Sequence, residues 1–199
     1  MIDLFDSQTV KSDDAANDTT SKKRKNNPEQ LRHLLINAAK DLMIKDGIAN
    51  LSMQKVADAA GTSKGGLFHH FKSKEELIAA VIGLFIAQLN TAILAHIGAN
   101  HSYGVFTRAY VSVFFDNDAI GLQSDWAGLI RSINSDAIMQ SQWQDWMTQK
   151  LRQFADTDSD TKLAIVRYAV DGAWLDETLT DDNERYQAVK AGLLKMIDG

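Results

Sequence analysis

Ser52-Met53-Gln54-Lys55-Val56-Ala57-Asp58-Ala59-Ala60-Gly61-Thr62-Ser63-Lys64-Gly65-Gly66-Leu67-Phe68-His69-His70-Phe71 is the stretch whose reading decides the fold. Ser52 suits a helix N-cap, Val56, Ala57 and Ala60 follow at helical spacing, and Gly61 stops the segment. Thr62 and Ser63 make a tight turn into a second short helix, Lys64 to His70. Two short helices that cross steeply need small residues where they meet, which Ala57 and Ala60 supply, and a glycine in the turn. Val56, Leu67 and Phe71 can form the shared core, since Leu67 and Phe71 are four apart on one face. Lys64, Gly65, Gly66, Phe68 and His69 are left toward the outside, at the helix N-terminus. This is the logic of a helix-turn-helix whose second helix enters a major groove.

The adjacent glycines are the oddity. Inside a helix each costs about 1 kcal/mol relative to alanine. A rule broken in this way marks a functional site, where backbone must approach another surface closely. The competing reading is that Gly65-Gly66 is a loop between two helices.

Upstream, Asn27 is a good N-cap, Pro28 suits the first helical position and Glu29 favours the positive end of the helix dipole. Leu31, Leu34, Leu35, Ala38, Leu42 and Met43 recur at spacings of three and four, the stripe of a helix that buries one face and stops at Gly47. Residues 1–26 are polar and read as a disordered tail. Its Lys22-Lys23-Arg24-Lys25 run is open to two readings, a solvated charge run or an arm that grips phosphates or a minor groove. Downstream, Ser73-Lys74-Glu75-Glu76 is a capping box that opens a long apolar helix from Leu77 to about Ile97. Helix follows helix after residue 100, with gaps at 116–121, 134–135, 156–160 and 180–182. Pro28 is the single proline and alternating β-branched runs are scarce, so an all-α fold is expected. The expected organisation is a DNA-reading unit over 27–75 (to about 89 with its fourth helix), with the motif at 52–71, and a helical body over 76–199.

The net charge of −5 is unevenly spread. Residues 22–80 hold eleven Lys/Arg against six Asp/Glu, whereas residues 81–199 hold nine against fifteen. A basic front on an acidic body matches a localised electrostatic footprint. The chain has no cysteine, which removes disulfide frameworks, thiolate metal sites and cysteine nucleophiles and fits the cytosol. No stretch is read as approaching the roughly 18 apolar residues of a membrane span, so no membrane partner is expected. His33, His69, His70, His96 and His101 form no His-x-x-x-His or comparable metal set, and no phosphate-cradling glycine loop occurs. Neither a metal, nor a cofactor, nor enzymatic activity is expected.

The segment from about Glu29 to Leu89 resembles the N-terminal domain of TetR-family transcriptional regulators. The resemblance rests on Val56-Ala57-Asp58-Ala59-Ala60-Gly61-Thr62-Ser63-Lys64-Gly65 and on an aromatic followed by His70-Phe71-Lys72-Ser73-Lys74-Glu75-Glu76-Leu77. It implies DNA contacts from Ser52, Gln54, Thr62, Ser63, Lys64, Gly65, Gly66, Phe68, His69, His70 and Lys74. Phe68 stands where the family usually has tyrosine, so a hydroxyl contact to the backbone is lost and ring packing on sugar or a thymine methyl remains. Lys64 is the one long donor at a base-reading position, suited to guanine, and Lys74 would clamp a phosphate at the start of the fourth helix. Few direct base contacts and a larger share of shape readout follow.

Residues 101–199 carry all four tryptophans, with Met139, Trp143, Trp146 and Met147 on one helical stripe. Such a body suits plain core or a cavity for a small apolar or aromatic molecule. The resemblance implies the cavity, with Phe106, Tyr110, Phe114, Trp126, Met139, Trp143, Met147 and Tyr168 as candidate lining. It also implies a bacterial, cytoplasmic repressor released by its ligand. A homodimer formed by two long helices, about 159–179 and 182–197, would sit on a pseudo-palindromic double-stranded operator. Val170, Gly172, Ala173, Trp174, Val189 and Leu193 are the candidate dimer contacts. Asp171 in this apolar stretch is open to three readings: capped, paired or facing a ligand. The alternative function is a DNA-binding protein of the same fold that acts through a protein partner, or organises DNA, without an inducer.

Overall fold

Asn27 caps α1 (Pro28–Asp46) by accepting from the Glu29 amide at 3.1 Å, and Gly47, in the left half-space at φ 78°, ends it by donating to the Met43 carbonyl. The computed structural model describes residues 27–134 and 136–199; the tail and its Lys22–Lys25 run lie outside the described residues. Two short helices follow, α2 (Met53–Ala59) and α3 (Lys64–His70). The turn between them is a Schellman motif: Gly61 has φ 68°, its amide donates to Asp58, and the Thr62 amide donates to Ala57. Ser73 then starts α4 (Lys74–Ile97) by accepting from the Glu76 amide at 3.1 Å, while the Glu76 carboxylate accepts from the Lys72 amide at 2.6 Å. That reciprocal pair is a one-residue-expanded version of the expected capping box.

The body comprises α5 (Val105–Asp116), α6 (Asp125–Ile133), α7 (Ala137–Gln153), α8 (Ala155–Asp158), α9 (Thr161–Ala173) and α10 (Asn183–Asp198). With α1–α4, every regular element among the described residues is helical, as expected. The central helix α4 packs on α1, α5 and α7; α9 and α10 pack on each other and on α5, and α6 also reaches α1. One contiguous apolar core runs from Leu35 through α4 to Ile197.

Three expectations need correction. In α1 the buried stripe is Leu35, Ile36, Ala39 and Met43, and Leu34 is 49% exposed. The stripe is rotated by about one residue toward Ile36 and Ala39, on a helix that packs against α2, α4 and α6. Second, α4 is in fact long and apolar enough to cross a membrane, with a mean hydropathy of 2.2 over 18 residues. Packing against three helices buries Leu77, Ile78, Val81, Ile82, Phe85, Leu89, Ile93 and Ile97 instead. A helix apolar nearly all round is what an interior position demands. Third, α9 stops at Ala173, short of Leu179, and the expected gap at 156–160 holds the single-turn helix α8.

That turn anchors the body. α5 begins at Gly104, whose φ of 68° and missing side chain leave no cap of its own. A Cβ there would lie 2.8 Å from Ile197 and 3.1 Å from Leu163, so glycine is required by space as well as conformation. The free amides of Phe106 and Thr107 donate instead to the buried Asp158 carboxylate, at 3.1 and 2.8 Å, and the Thr107 and Thr157 hydroxyls donate to it as well. Arg167 of α9 stands 3.8 Å away, its guanidinium also donating to Thr107. An acid from 50 residues downstream thus caps α5 where the dipole is positive. Asp158→Ala leaves a buried guanidinium and two helix amides unpaired, so it should cost roughly 3–5 kcal/mol in urea unfolding. Asp158→Ala with Arg167→Leu should recover part of that loss.

Candidate nucleic-acid interface and ligand cavity

Ser52 and Ser63 do the same job at the two helices of the reader. Each side-chain oxygen accepts from an amide one turn on, Lys55 at 3.2 Å and Gly66 at 3.0 Å. Both residues are exposed, and each hydroxyl keeps its proton free to donate to a phosphate. Val56, Ala57, Leu67 and Phe71 are fully buried and hold the two helices together, with the Arg32 guanidinium 4.7 Å over the Phe71 ring. On the outer face Lys64, Gly65 and His69 are exposed, while Thr62, Gly66, Phe68 and His70 are half-buried. The Lys64 ammonium lies 5.9 Å from the Phe68 ring centre, one turn along, within reach of a cation–π contact. Gln54 is exposed, but its amide donates to Asp58 at 2.7 Å within α2. Lys74 opens α4, beside Glu75, whose carboxyl is held below its ordinary range by the backbone amide and the Ser73 hydroxyl. The predicted residues thus lie on α2, on α3, in the turn between them and at the start of α4, each exposed or half-buried.

The two glycines separate on inspection. A Cβ on Gly65 would meet only the Ser63 hydroxyl, at 3.8 Å, so nothing inside the chain requires glycine there. A Cβ on Gly66 would lie 2.5 Å from the Thr62 hydroxyl. Gly66 serves the turn; Gly65 is the position whose bareness faces outward.

In the body, a cavity of about 190 Å³ opens among α4, α6, α7 and α9. Phe85, Trp143 and Trp174 give it aromatic walls, and Ile130, Met139, Asn134 and Gln140 complete the sides. Asp171 brings the one carboxylate. Burial raises its carboxyl above the ordinary range, opposed by the Tyr110 hydroxyl that donates to it and by the Arg167 charge. The same environment, burial first and the Asp171 charge second, pushes the Tyr110 hydroxyl well up. Asp171 is thus both paired and facing the cavity.

Of the candidate lining, Met139 and Trp143 reach the cavity. Phe106, Tyr110 and Phe114 are fully buried and do not line it; their rings meet tilted and edge-on, with centres 5.8 Å (Phe106–Tyr110) and 4.5 Å (Tyr110–Phe114) apart. Trp126 lies against Phe85 with ring centres 5.3 Å apart and donates its indole N–H to Gln88, and Met147 is half-buried elsewhere on α7. Tyr168 is 74% exposed on the far side of α9 and cannot line a cavity. Phe85 and Ile130 look in sequence like any other core residue, and Trp174 is expected at the dimer contact rather than here.

The dimer candidates need a similar correction. Val170, Ala173, Trp174 and Leu193 are buried against their own chain, so they are not available to a second one. Gly172 is exposed and Val189 half-buried. The outward faces of α9 and α10 carry a different apolar stripe: Ile165, Tyr168, Ala169, Gly172 and Leu175, then Ala188, Gly192 and Met196. Helix α9 is apolar on two sides, so its sequence period alone does not separate the inner stripe from the outer one.

A helix-turn-helix with basic and hydroxyl side chains on its outer face, fused through one core to a helical body with an aromatic cavity, defines a DNA-binding regulator. Residues 35–81 match the family described as bacterial regulatory proteins, tetR family, and residues 104–198 match the tetracyclin repressor-like C-terminal domain. The chain belongs to the TetR family of transcriptional regulators, which bind DNA and are not enzymes. It is 32% identical over 88 residues to the transcriptional activator FasR of Mycolicibacterium smegmatis, a match covering 44% of this chain and 40% of that protein. It is 39% identical over 51 residues to the transcriptional regulator UidR of Escherichia coli, covering 26% of each. The chain therefore spans well under half the length of these two relatives in the matched regions. The multidrug binding protein EbrR, solved in complex with malachite green, shares the fold with a TM-score of 0.66 at 20% identity, over 83% of this chain and 97% of that one.

Gly65→Ala should raise the unfolding free energy by about 0.5–1 kcal/mol, because its methyl makes only an ordinary contact with the Ser63 hydroxyl in a helix. Gly66→Ala should gain nothing, and the gain should return when Thr62→Ala is added. Thermal unfolding of the three variants checks this directly.

Proposed function

We propose that the chain is a homodimeric repressor that holds a pseudo-palindromic operator and leaves it when a small apolar or aromatic molecule fills the body cavity. One observation carries the reading: the cavity wall and the DNA reader share a helix. Phe85 lies on α4, whose first residue is Lys74 at the reader. A second route runs through α6, where Trp126 touches Phe85 on one side and lies 5.8 Å below the Lys40 ammonium of α1 on the other. A ligand that displaces Phe85 or Ile130 acts on both elements that hold α1–α3. Binding then shifts the population toward reader positions that no longer match the groove spacing, and ligand and DNA weaken each other by the same factor. That EbrR holds malachite green on the same fold supports a small-molecule cavity here.

The dimer is supported by the outward stripe of α9 and α10. Gly172 and Gly192 have nothing within 4 Å of where a Cβ would be, so helices of a second copy can approach closely at both. Ile165, Leu175 and Met196 flank them, exposed by 52%, 59% and 44%, which leaves apolar area that a four-helix contact would cover. Two readers related by a two-fold axis require half-sites about one helical turn apart, or a multiple of it.

Gel shifts on the DNA upstream of the chain's own gene, run beside thermal shifts with small apolar compounds, test the reading. A compound that raises the melting temperature should release the DNA; DNA binding that no stabilising compound affects would instead mark a constitutive DNA organiser. Lys64→Ala should alter which operator is preferred, changing discrimination at its base pair by roughly 1–3 kcal/mol. Lys74→Ala should weaken all sequences alike and lower the salt slope by about 1. Sedimentation equilibrium should give a dimer for the parent chain at micromolar concentration and a monomer for Ile165→Glu; a monomeric parent contradicts the two-fold operator.

A further inference from the structure

The body cavity combines two features that an apolar pocket does not need. Three of its walls are aromatic rings: Phe85 with Trp143 at 6.3 Å between ring centres and with Trp174, edge-on, at 6.0 Å. Aromatic faces carry the negative lobe of the ring quadrupole. The remaining oddity is Asp171, whose single donor among the described side chains is the Tyr110 hydroxyl, although an ionised carboxylate offers about four acceptor sites.

The nearby cations are engaged elsewhere. Arg167, one turn earlier on α9, donates to Thr107 at 2.5 Å and to the Asp158 carbonyl, and stands 3.8 Å from the Asp158 carboxylate. Lys150 of α7 donates to Gln153 at 2.9 Å, two turns beyond Trp143. The other polar walls, Asn134 and Gln140, are neutral. Asp158 and Arg167 cancel, so one negative charge is left facing an aromatic space. Resting on the sensor reading above, we propose that the molecule this cavity takes is a compact organic cation, a quaternary ammonium or protonated amine carried on a ring.

The inference follows from matching charge to charge in a partly enclosed site whose carboxylate is half-buried. A cation over Trp or Phe faces gains about 0.5–2 kcal/mol, more as the site dries. An anionic ligand would meet Asp171 and the ring faces with repulsion, which excludes free carboxylates and phosphates. A bound cation also offsets the desolvation that raises the Asp171 carboxyl when the cavity is empty. The size, about 190 Å³, suits a single substituted ring rather than a long chain.

The test compares phenyltrimethylammonium with its uncharged isostere tert-butylbenzene, followed by quenching of Trp143 and Trp174 fluorescence in the full chain. The cation should bind at least about tenfold more tightly to the parent. In Asp171→Asn that advantage should fall to about threefold or less, with tert-butylbenzene affected by less than about twofold. The variant keeps an acceptor for Tyr110 and removes a buried charge, so its melting temperature should equal or exceed the parent's. If the variant fails to fold, the ratio of the two affinities in the parent decides alone. Equal binding of the two compounds, or quenching by neither, overturns the proposal. Operator release read in parallel separates the two claims: selective binding of the cation without release upholds the cation site and counts against the sensor. Release by tert-butylbenzene with no preference for the cation does the reverse.

Discussion

Everything in this chain hangs on α4 being apolar on more than one side. Its 24 residues pack on the reader through α1 and on the body through α5 and α7, with α6 as a second contact to α1. Its eight buried side chains each contribute roughly 1.5–3 kcal/mol of transfer free energy, and those contributions are divided among three neighbours. The α2–α3 pair, with its four buried side chains and bare glycines, has little core of its own. It is held by being continuous with a core that extends to Ile197.

Function follows from that sharing. The outer face of α2 and α3 needs free hydroxyls and a lysine, and the caps at Ser52 and Ser63 and the Lys64 side chain supply them at the surface. The cavity opens among α4, α6, α7 and α9, and the Asp158 anchor fixes α5 against α9 in the same body. Between them stand Phe85 on α4 and Trp126 on α6, residues that belong to cavity and scaffold at once. Coupling of two sites asks for an element whose position both can bias, and here two such elements meet at one ring pair.

The reader was legible in the sequence almost residue by residue, because it is made from local signals. Ser52, Gly61, Ser63 and Ser73 each act within one helical turn, and capping chemistry is readable over that distance. The body was legible as helices but not as surfaces. Asp158 caps α5 from 50 residues away, and no local pattern announces a partner so remote. Trp174 is buried at the cavity and Tyr168 is exposed, against expectation, because α9 is apolar on two faces and periodicity alone cannot say which is turned inward. Asp171 stood out as a charge in an apolar run, and only the cavity beside it decided among its three readings. Leu34 shows the smaller version of the same limit: the period of α1 was right and its phase was off by one residue.

The central claim is that reader and body are one mechanical unit joined through α4. The chain makes this directly measurable, since all four tryptophans lie in the body and the absence of cysteine allows a single label at the exposed Ala59 of α2. Urea unfolding of Ala59→Cys carrying a fluorophore reports the reader, and tryptophan emission from the same sample reports the body. Coincident transitions with one midpoint and one slope are the predicted result. A reader that melts at distinctly lower urea while the tryptophans stay native would contradict the shared core, and with it the route from cavity to DNA.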